Sequence, residues 1–206
     1  MNPKIIGISG NQGSGKSTLA NEISESFKKV TFLPTNISKT LKENGVFKLG
    51  EFSSFEEFLE LQISVYTIIK DQICSLKKGI FILDRTFVDI YVYTVSQINE
   101  AAAKELQGNK LLFSLLEEFL DVLLRQQQLL FNFVIYIDEA ISYSENTDKL
   151  RGSLNQIYLN KMLMIQQSVV RNITNQEYIK VKNKPKIDTI KNQSIKALNI
   201  YLNNRK

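Results

Sequence analysis

The sequence predicts an α/β fold with a parallel sheet covered on both faces, and three observations carry that expectation. Short apolar strand patterns alternate with longer helical ones, the pattern of strands joined by helical crossovers. The runs Ile80 to Leu83 and Phe133 to Ile137 carry no polar alternation, as central strands buried on both sides require. A glycine-rich turn joins the first strand, Lys4 to Ser9, directly to the first helix.

The elements follow in order. The first helix, Lys16 to Phe27, places Leu19, Ile23 and Phe27 on one face. Val30 to Leu33 reads as the second strand, and a long helix follows from Ser54 to Leu76. Gly79 ends that stretch before the third strand, Ile80 to Leu83, and a helix is expected over Val88 to Ala102. Gly108 separates it from the helix Lys110 to Gln128, which leads to the fourth strand, Phe133 to Ile137. Gly152 precedes a helix over Ser153 to Asn172. The fifth strand, Tyr178 to Val181, is stopped by Pro185, and a last helix spans Ile187 to Leu202. No repeat or linker interrupts the pattern, so one domain over residues 1–206 is expected.

Composition narrows the chemistry. With 206 residues, 43% hydrophobic and 23% charged, the chain can bury a substantial core. No signal-like start or uninterrupted membrane-length apolar run occurs, and a cytoplasmic protein without membrane contact is expected. The sequence holds no histidine and one cysteine, Cys74. Disulfides, Ser-His-Asp and Cys-His machinery are therefore excluded, and carboxylates remain as proton acceptors. The net charge of +5 draws partly on Lys180, Lys182, Lys184 and Lys186. A nucleic-acid contact there stays open, but no aromatics interleave and a solvated surface is favoured.

Gly10-Asn11-Gln12-Gly13-Ser14-Gly15-Lys16-Ser17-Thr18 satisfies G-x-x-x-x-G-K-[ST] between a strand and a helix. Such a match arises by chance in only ~1% of chains of this length at average residue usage. Gly10, Gly13 and Gly15 let successive N–H groups face inward as a nest for phosphate oxygens, at the positive end of the helix that follows. The expected ligand is ATP with Mg²⁺, Lys16 reaching the phosphates and Ser17 the metal.

In open α/β sheets ligands sit beyond the carboxyl ends of the strands. Asp84 ends the third strand, where a carboxylate can hold Mg²⁺ or accept a hydroxyl proton, the less favoured alternative being a cap on the next helix. Arg85 beside it is one of five arginines and is suited to clamping an anion. Asp89 and Tyr93, four apart on one helical face, read either as contacts to a sugar or base, or as a surface Asp and a half-buried Tyr.

The segment Asp84 to Tyr93 resembles the DR[ST]-x-x-D-x-x-x-Y block of small P-loop kinases. With the phosphate loop, it is similar to the nucleoside and nucleotide monophosphate kinases, particularly the AAA group that includes ribosylnicotinamide kinases and viral deoxynucleotide (monophosphate) kinases. Thr31 to Ser38 also looks like viral members. The resemblance runs coarsely from Lys4 to Asn172, and implies a three-layer P-loop kinase fold with strand order 2-3-1-4-5 and a lid.

It also implies roles for further residues. Gln62, four before Tyr66, falls where a Gln can read a nucleobase edge, the alternative being polar decoration of an apolar helix. Residues 144–153 look like the lid, with a D-x-x-R pattern at Asp148 and Arg151. Arg151 would then neutralise the transferring phosphoryl group, unless the stretch is only a polar loop ending at Ser153. Asn183 falls where backbone atoms of related kinases contact adenine. Thymidylate and deoxynucleoside kinases usually carry an acid after strand two, whereas this chain has Pro34-Thr35-Asn36. Asp84 becomes the first candidate for a general base.

Three functions are in play: phosphoryl transfer to a nucleoside or (deoxy)nucleoside monophosphate, transfer to a hydroxymethylated pyrimidine in DNA, and regulatory NTP hydrolysis. A GTPase switch is disfavoured because no N-K-x-D occurs, Asn183 to Lys186 lacking the Asp. An AAA motor would need more chain. The apolar surplus of Leu111 to Leu130 leaves a homodimer contact and a core role both open.

Overall fold

The computed structural model describes residues 2–11, 14–43, 52–138, 156–173, 177–181 and 187–203. Five strands, β1 (Lys4–Ser9), β2 (Val30–Leu33), β3 (Ile80–Leu83), β4 (Phe133–Ile137) and β5 (Glu177–Val181), form one sheet in the order β2-β3-β1-β4-β5. All neighbours pair in parallel, with Gly7 opposite Leu83 on β3 and Ser9 opposite Tyr136 on β4. This is the strand order that the sequence resemblance implies.

Successive residues of β1 and β4 enter opposite cores, because side chains alternate across a strand. Ile5, Val134 and Tyr136 face α3 (Phe55–Cys74), α4 (Phe87–Ser96), α6 (Lys110–Leu130) and α7 (Gln156–Asn172). Ile6, Ile8, Phe133, Ile135 and Ile137 face α1 (Lys16–Ser26) and α8 (Ile187–Asn203). The two remaining helices are α2 (Ile37–Glu43) and α5 (Glu100–Gly108).

Two departures from the sequence pattern have local causes. The helix expected over Val88–Ala102 is two helices, because Asn99 accepts from the Ala102 amide at 3.0 Å and starts α5. The apolar spacing of Val95, Ile98 and Ala102 runs through the break and hides it. Helix α2 was not expected; Asn36, at φ 44°, turns the chain out of β2 into it.

The helices are tied together at their ends. Glu105 of α5 accepts from the Phe55 and Glu56 amides at 2.8 and 3.1 Å, placing a carboxylate on the positive end of α3. Gln127 of α6, fully buried, accepts from the Phe87 amide at 2.9 Å and satisfies a first-turn N–H of α4. The apolar surplus of α6 divides between core and surface: Leu112, Leu116, Phe119 and Leu123 are buried, while Leu111 is 81% exposed. No described helix is long and apolar enough to cross a membrane.

Among the described glycines the tightest surroundings are those of Gly7. A Cβ there would lie 2.5 Å from Thr86 Cγ2 and 2.8 Å from the Phe131 ring, so only glycine lets the start of α4 rest on β1. Gly7→Ala should destabilise by about 1–3 kcal/mol through overpacking, a melting-temperature loss of roughly 3–10 °C in a chain of this size. Thermal unfolding checks this; an unchanged midpoint would contradict the packing.

Candidate functional site

The donor side begins where β1 releases the chain into the glycine-rich turn. Gly15, at φ 81°, occupies the left-handed region that glycine enters without a Cβ penalty, and starts α1. Among the described residues no side chain caps α1 and its first turn holds no acid of its own, so its first N–H groups are free to face the loop. Lys16 Nζ donates to the Gly10 and Asn11 carbonyls at 2.6 and 2.9 Å, holding the ammonium over the turn. Asn11 is buried and donates through Nδ2 to the Leu159 carbonyl of α7 at 3.0 Å. Gln12 and Gly13 lie outside the described residues. Ser14 is buried, whereas Ser17 and Thr18 are exposed.

Asp84, at the end of β3, is shared between two elements. Its Oδ2 accepts from Ser17 Oγ at 2.5 Å, and its Oδ1 accepts from the Thr35 amide and hydroxyl at 3.1 and 3.0 Å. It does not cap α4, whose N-cap is Thr86. The loop hydroxyl and the strand-three carboxylate therefore meet as a pair of hard oxygen ligands, a donor set suited to Mg²⁺ bound together with phosphates.

Arg85 is half-buried, and among the described residues it has no hydrogen-bond or ion-pair partner. Its charge reaches the Tyr93 hydroxyl on α4. Burial pushes that hydroxyl above the ordinary tyrosine range, Tyr158 adds to the rise, and the Arg85 guanidinium opposes it. The Tyr93 ring packs on Phe58 of α3 at 5.7 Å between centroids. Tyr158 of α7 accepts from Gln97 Nε2 at 2.8 Å and lies 3.1 Å from Ser96 Oγ, while Lys161 Nζ donates to the Ser96 carbonyl at 2.7 Å.

Two other residues read as acceptor contacts, Gln62 and Tyr66, both lie on α3. Gln62 is buried on α3, one turn after Phe58 and on the same face. Tyr66 packs its ring against Phe87 and Phe119 at 5.2 and 6.0 Å, with Lys70 Nζ 5.6 Å from its centroid. Those contacts put it among the core aromatics.

Asp89 turns inward: Oδ1 accepts from Ser9 Oγ and the Gly10 amide at 3.1 and 3.0 Å, and Oδ2 from the Thr86 amide and hydroxyl at 2.7 and 3.0 Å. Gln166 Nε2 of α7 donates to the same Ser9 Oγ at 3.2 Å. The Tyr136 hydroxyl is buried nearby, and desolvation, with the Asp89 and Tyr178 charges adding, raises its pKa far above the ordinary value, so it stays protonated. Arg151, the rest of residues 144–153, and Asn183 lie outside the described residues.

Sequence reasoning missed Thr35, Ser9 and Gln166 as parts of this site. Thr35 carried a signal, since it follows a strand end. Gln166 carried another, as a polar residue on the helix stripe that holds Leu159, Met162 and Val169.

Comparison with known proteins bears on the fold and the family. The model of the family described as AAA domain matches residues 5–124, more than half of the chain. No curated protein matches the sequence. Among solved structures, the NadR protein in complex with NR superposes with a TM-score of 0.66 at 14% identity, covering 97% of this chain and 51% of that one. The chain thus spans about half the length of NadR. Thymidylate kinase from Candida albicans gives 0.62 at 20% identity, with 98% and 93% covered. Thymidylate kinase from Ehrlichia chaffeensis gives 0.57 at 16%, with 96% and 100% covered. The fold is that of P-loop kinases, and the chain belongs to the AAA domain family.

Proposed function

We propose that this chain is an ATP-dependent kinase that phosphorylates a nucleoside or (deoxy)nucleoside monophosphate. The observation that carries the reading is the 2.5 Å contact between Ser17 Oγ and Asp84 Oδ2, with Arg85 beside it at the same strand end. A NadR structure in complex with NAD and AMP-PNP, at a TM-score of 0.64 and 14% identity, supports ATP as donor. The resemblance of the phosphate loop and the Asp84 to Tyr93 block to nucleoside and nucleotide monophosphate kinases supports a nucleoside- or nucleotide-type acceptor.

In this reading Gly10 to Thr18 hold the triphosphate, with Ser17 and Asp84 on the side of the metal. Mg²⁺ would supply charge neutralisation at the β and γ oxygens. Lys16 exchanges the Gly10 and Asn11 carbonyls for phosphate oxygens. An acceptor oxygen forms the new bond to the γ-phosphorus as the bond to the β,γ-bridging oxygen breaks, and ADP departs. A nucleoside hydroxyl in this place loses its proton to Asp84 or to water, whereas a monophosphate attacks through an oxygen that is already ionised. Arg85 holds the acceptor in line, with Tyr93 and Gln62 beside it. Residues 144–153 act as the lid of one kinase domain, Arg151 closing on the transferring group and Asn183 lying against adenine.

A panel of nucleosides, monophosphates, ribosylnicotinamide and hydroxymethylated DNA, incubated with labelled ATP and Mg²⁺, tests the reaction. Label should pass to a nucleoside or monophosphate; label only on DNA would move the acceptor there, and hydrolysis alone would favour a regulatory NTPase. Lys16→Ala should abolish turnover, and near-normal transfer by that variant would sink the proposal.

A second set of variants tests the strand-end geometry. Asp84→Asn should retain ATP binding and lower kcat by about 100-fold, some 3 kcal/mol of barrier. Thr35→Val removes one hydrogen bond to Asp84 at constant volume and should lower kcat by about 10–30-fold, the low end of the worth of one bond to a charged group. Unchanged rates in both would reduce these contacts to packing.

A further inference from the structure

Asp89 was expected to touch the acceptor, yet its carboxylate faces the protein. Oδ1 holds the exit of β1 through Ser9 Oγ and the Gly10 amide, and Oδ2 holds the Thr86 amide and hydroxyl. Gly10 is the first glycine of the phosphate loop, and Thr86 directly follows Asp84-Arg85. One carboxylate therefore joins the donor loop to the strand end that would hold the acceptor.

We infer that Asp89 is a positioning residue that fixes the separation between the phosphate loop and the Asp84–Arg85 strand end. The inference rests on the phosphate loop as donor site, as in the function proposed above. Three features of the geometry support it. Both pairs of bonds come from groups whose places matter to the site, two of them backbone amides that cannot move without moving the loop or the start of α4. The Gly7 contact with Thr86 leaves no slack between the same two segments. Ser9 Oγ also receives Gln166 Nε2, so α7 meets this post too, and the Asn11 bond to the Leu159 carbonyl is a second tie from α7 to the loop.

Charge argues the same way. A bare carboxylate beside a phosphate site would repel the ligand. Here four donors surround it, which turns its charge toward the protein. An amide in its place keeps the shape, but its NH₂ must face donors on one side. Either the Gly10 side or the Thr86 side is then released.

The test is Asp89→Asn, read by equilibrium binding of a fluorescent ATP analogue with Mg²⁺ and by steady-state kinetics with the acceptor that the panel identifies. Affinity for the analogue should fall about 10-fold and kcat about 30-fold, from the loss of one pair of charge-assisted bonds, while acceptor KM stays within about twofold. A raised acceptor KM with unchanged nucleotide affinity would overturn the inference and make Asp89 an acceptor ligand. A lowered melting temperature alone would reduce it to a helix cap. If Asp89→Asn does not fold, Ser9→Ala decides, because it removes only the hydroxyl link between Gln166 and Asp89. Analogue binding about threefold weaker supports the inference, and unchanged binding overturns it. Wild-type protein that binds the analogue but phosphorylates nothing would remove the kinase reading, and the binding arm would still decide the role of Asp89.

Discussion

The central place of β1, hydrogen-bonded to β3 on one side and β4 on the other, is the constraint on which the site depends. A middle strand of a parallel sheet must release its chain at the same edge where its neighbours end. The glycine-rich turn after Ser9, Asp84 after Leu83 and Asp138 after Ile137 are therefore brought to one edge by backbone pairing alone. Side-chain chemistry acts on an arrangement that the sheet has already made. Placing Gly7 under Thr86 brings the start of α4 onto the same strand.

Polar groups buried around that edge link the surrounding elements. Ser9, Thr86 and Gln166 each have at most 5% exposure, and each hydrogen-bonds into the group centred on Asp89. A buried polar residue without partners is costly, so such a group holds its members in one relative position. Helices α4 and α7, on the same side of the sheet, are both joined to the phosphate loop in this way. Movement of either helix would be felt at the loop.

How legible the protein was in its sequence depended on how local the signal is. The five strands were readable because each is a short apolar run bounded by turn residues, and the loop because glycine spacing encodes backbone shape directly. Asp84 was readable from its place at a strand end. Thr35 was seen only as the absence of an acid, although it supplies two hydrogen bonds to Asp84 across 49 positions. Ser9 meets Gln166 across 157 positions, a pairing that no local pattern can announce. The break between α4 and α5 was hidden because apolar periodicity continues through it while the stop signal, the Asn99 cap, is a single polar side chain.

The most direct measurement of the central claim is a crystal structure of the chain with a non-hydrolysable ATP analogue and Mn²⁺, whose anomalous signal locates the metal. The account predicts the triphosphate in the loop of Gly10 to Thr18, the metal bound to Ser17 Oγ on the Asp84 side, and Lys16 Nζ turned from the Gly10 and Asn11 carbonyls to the phosphates. A nucleotide bound away from that loop, or Lys16 still on its carbonyls with the metal remote from Ser17, would contradict it.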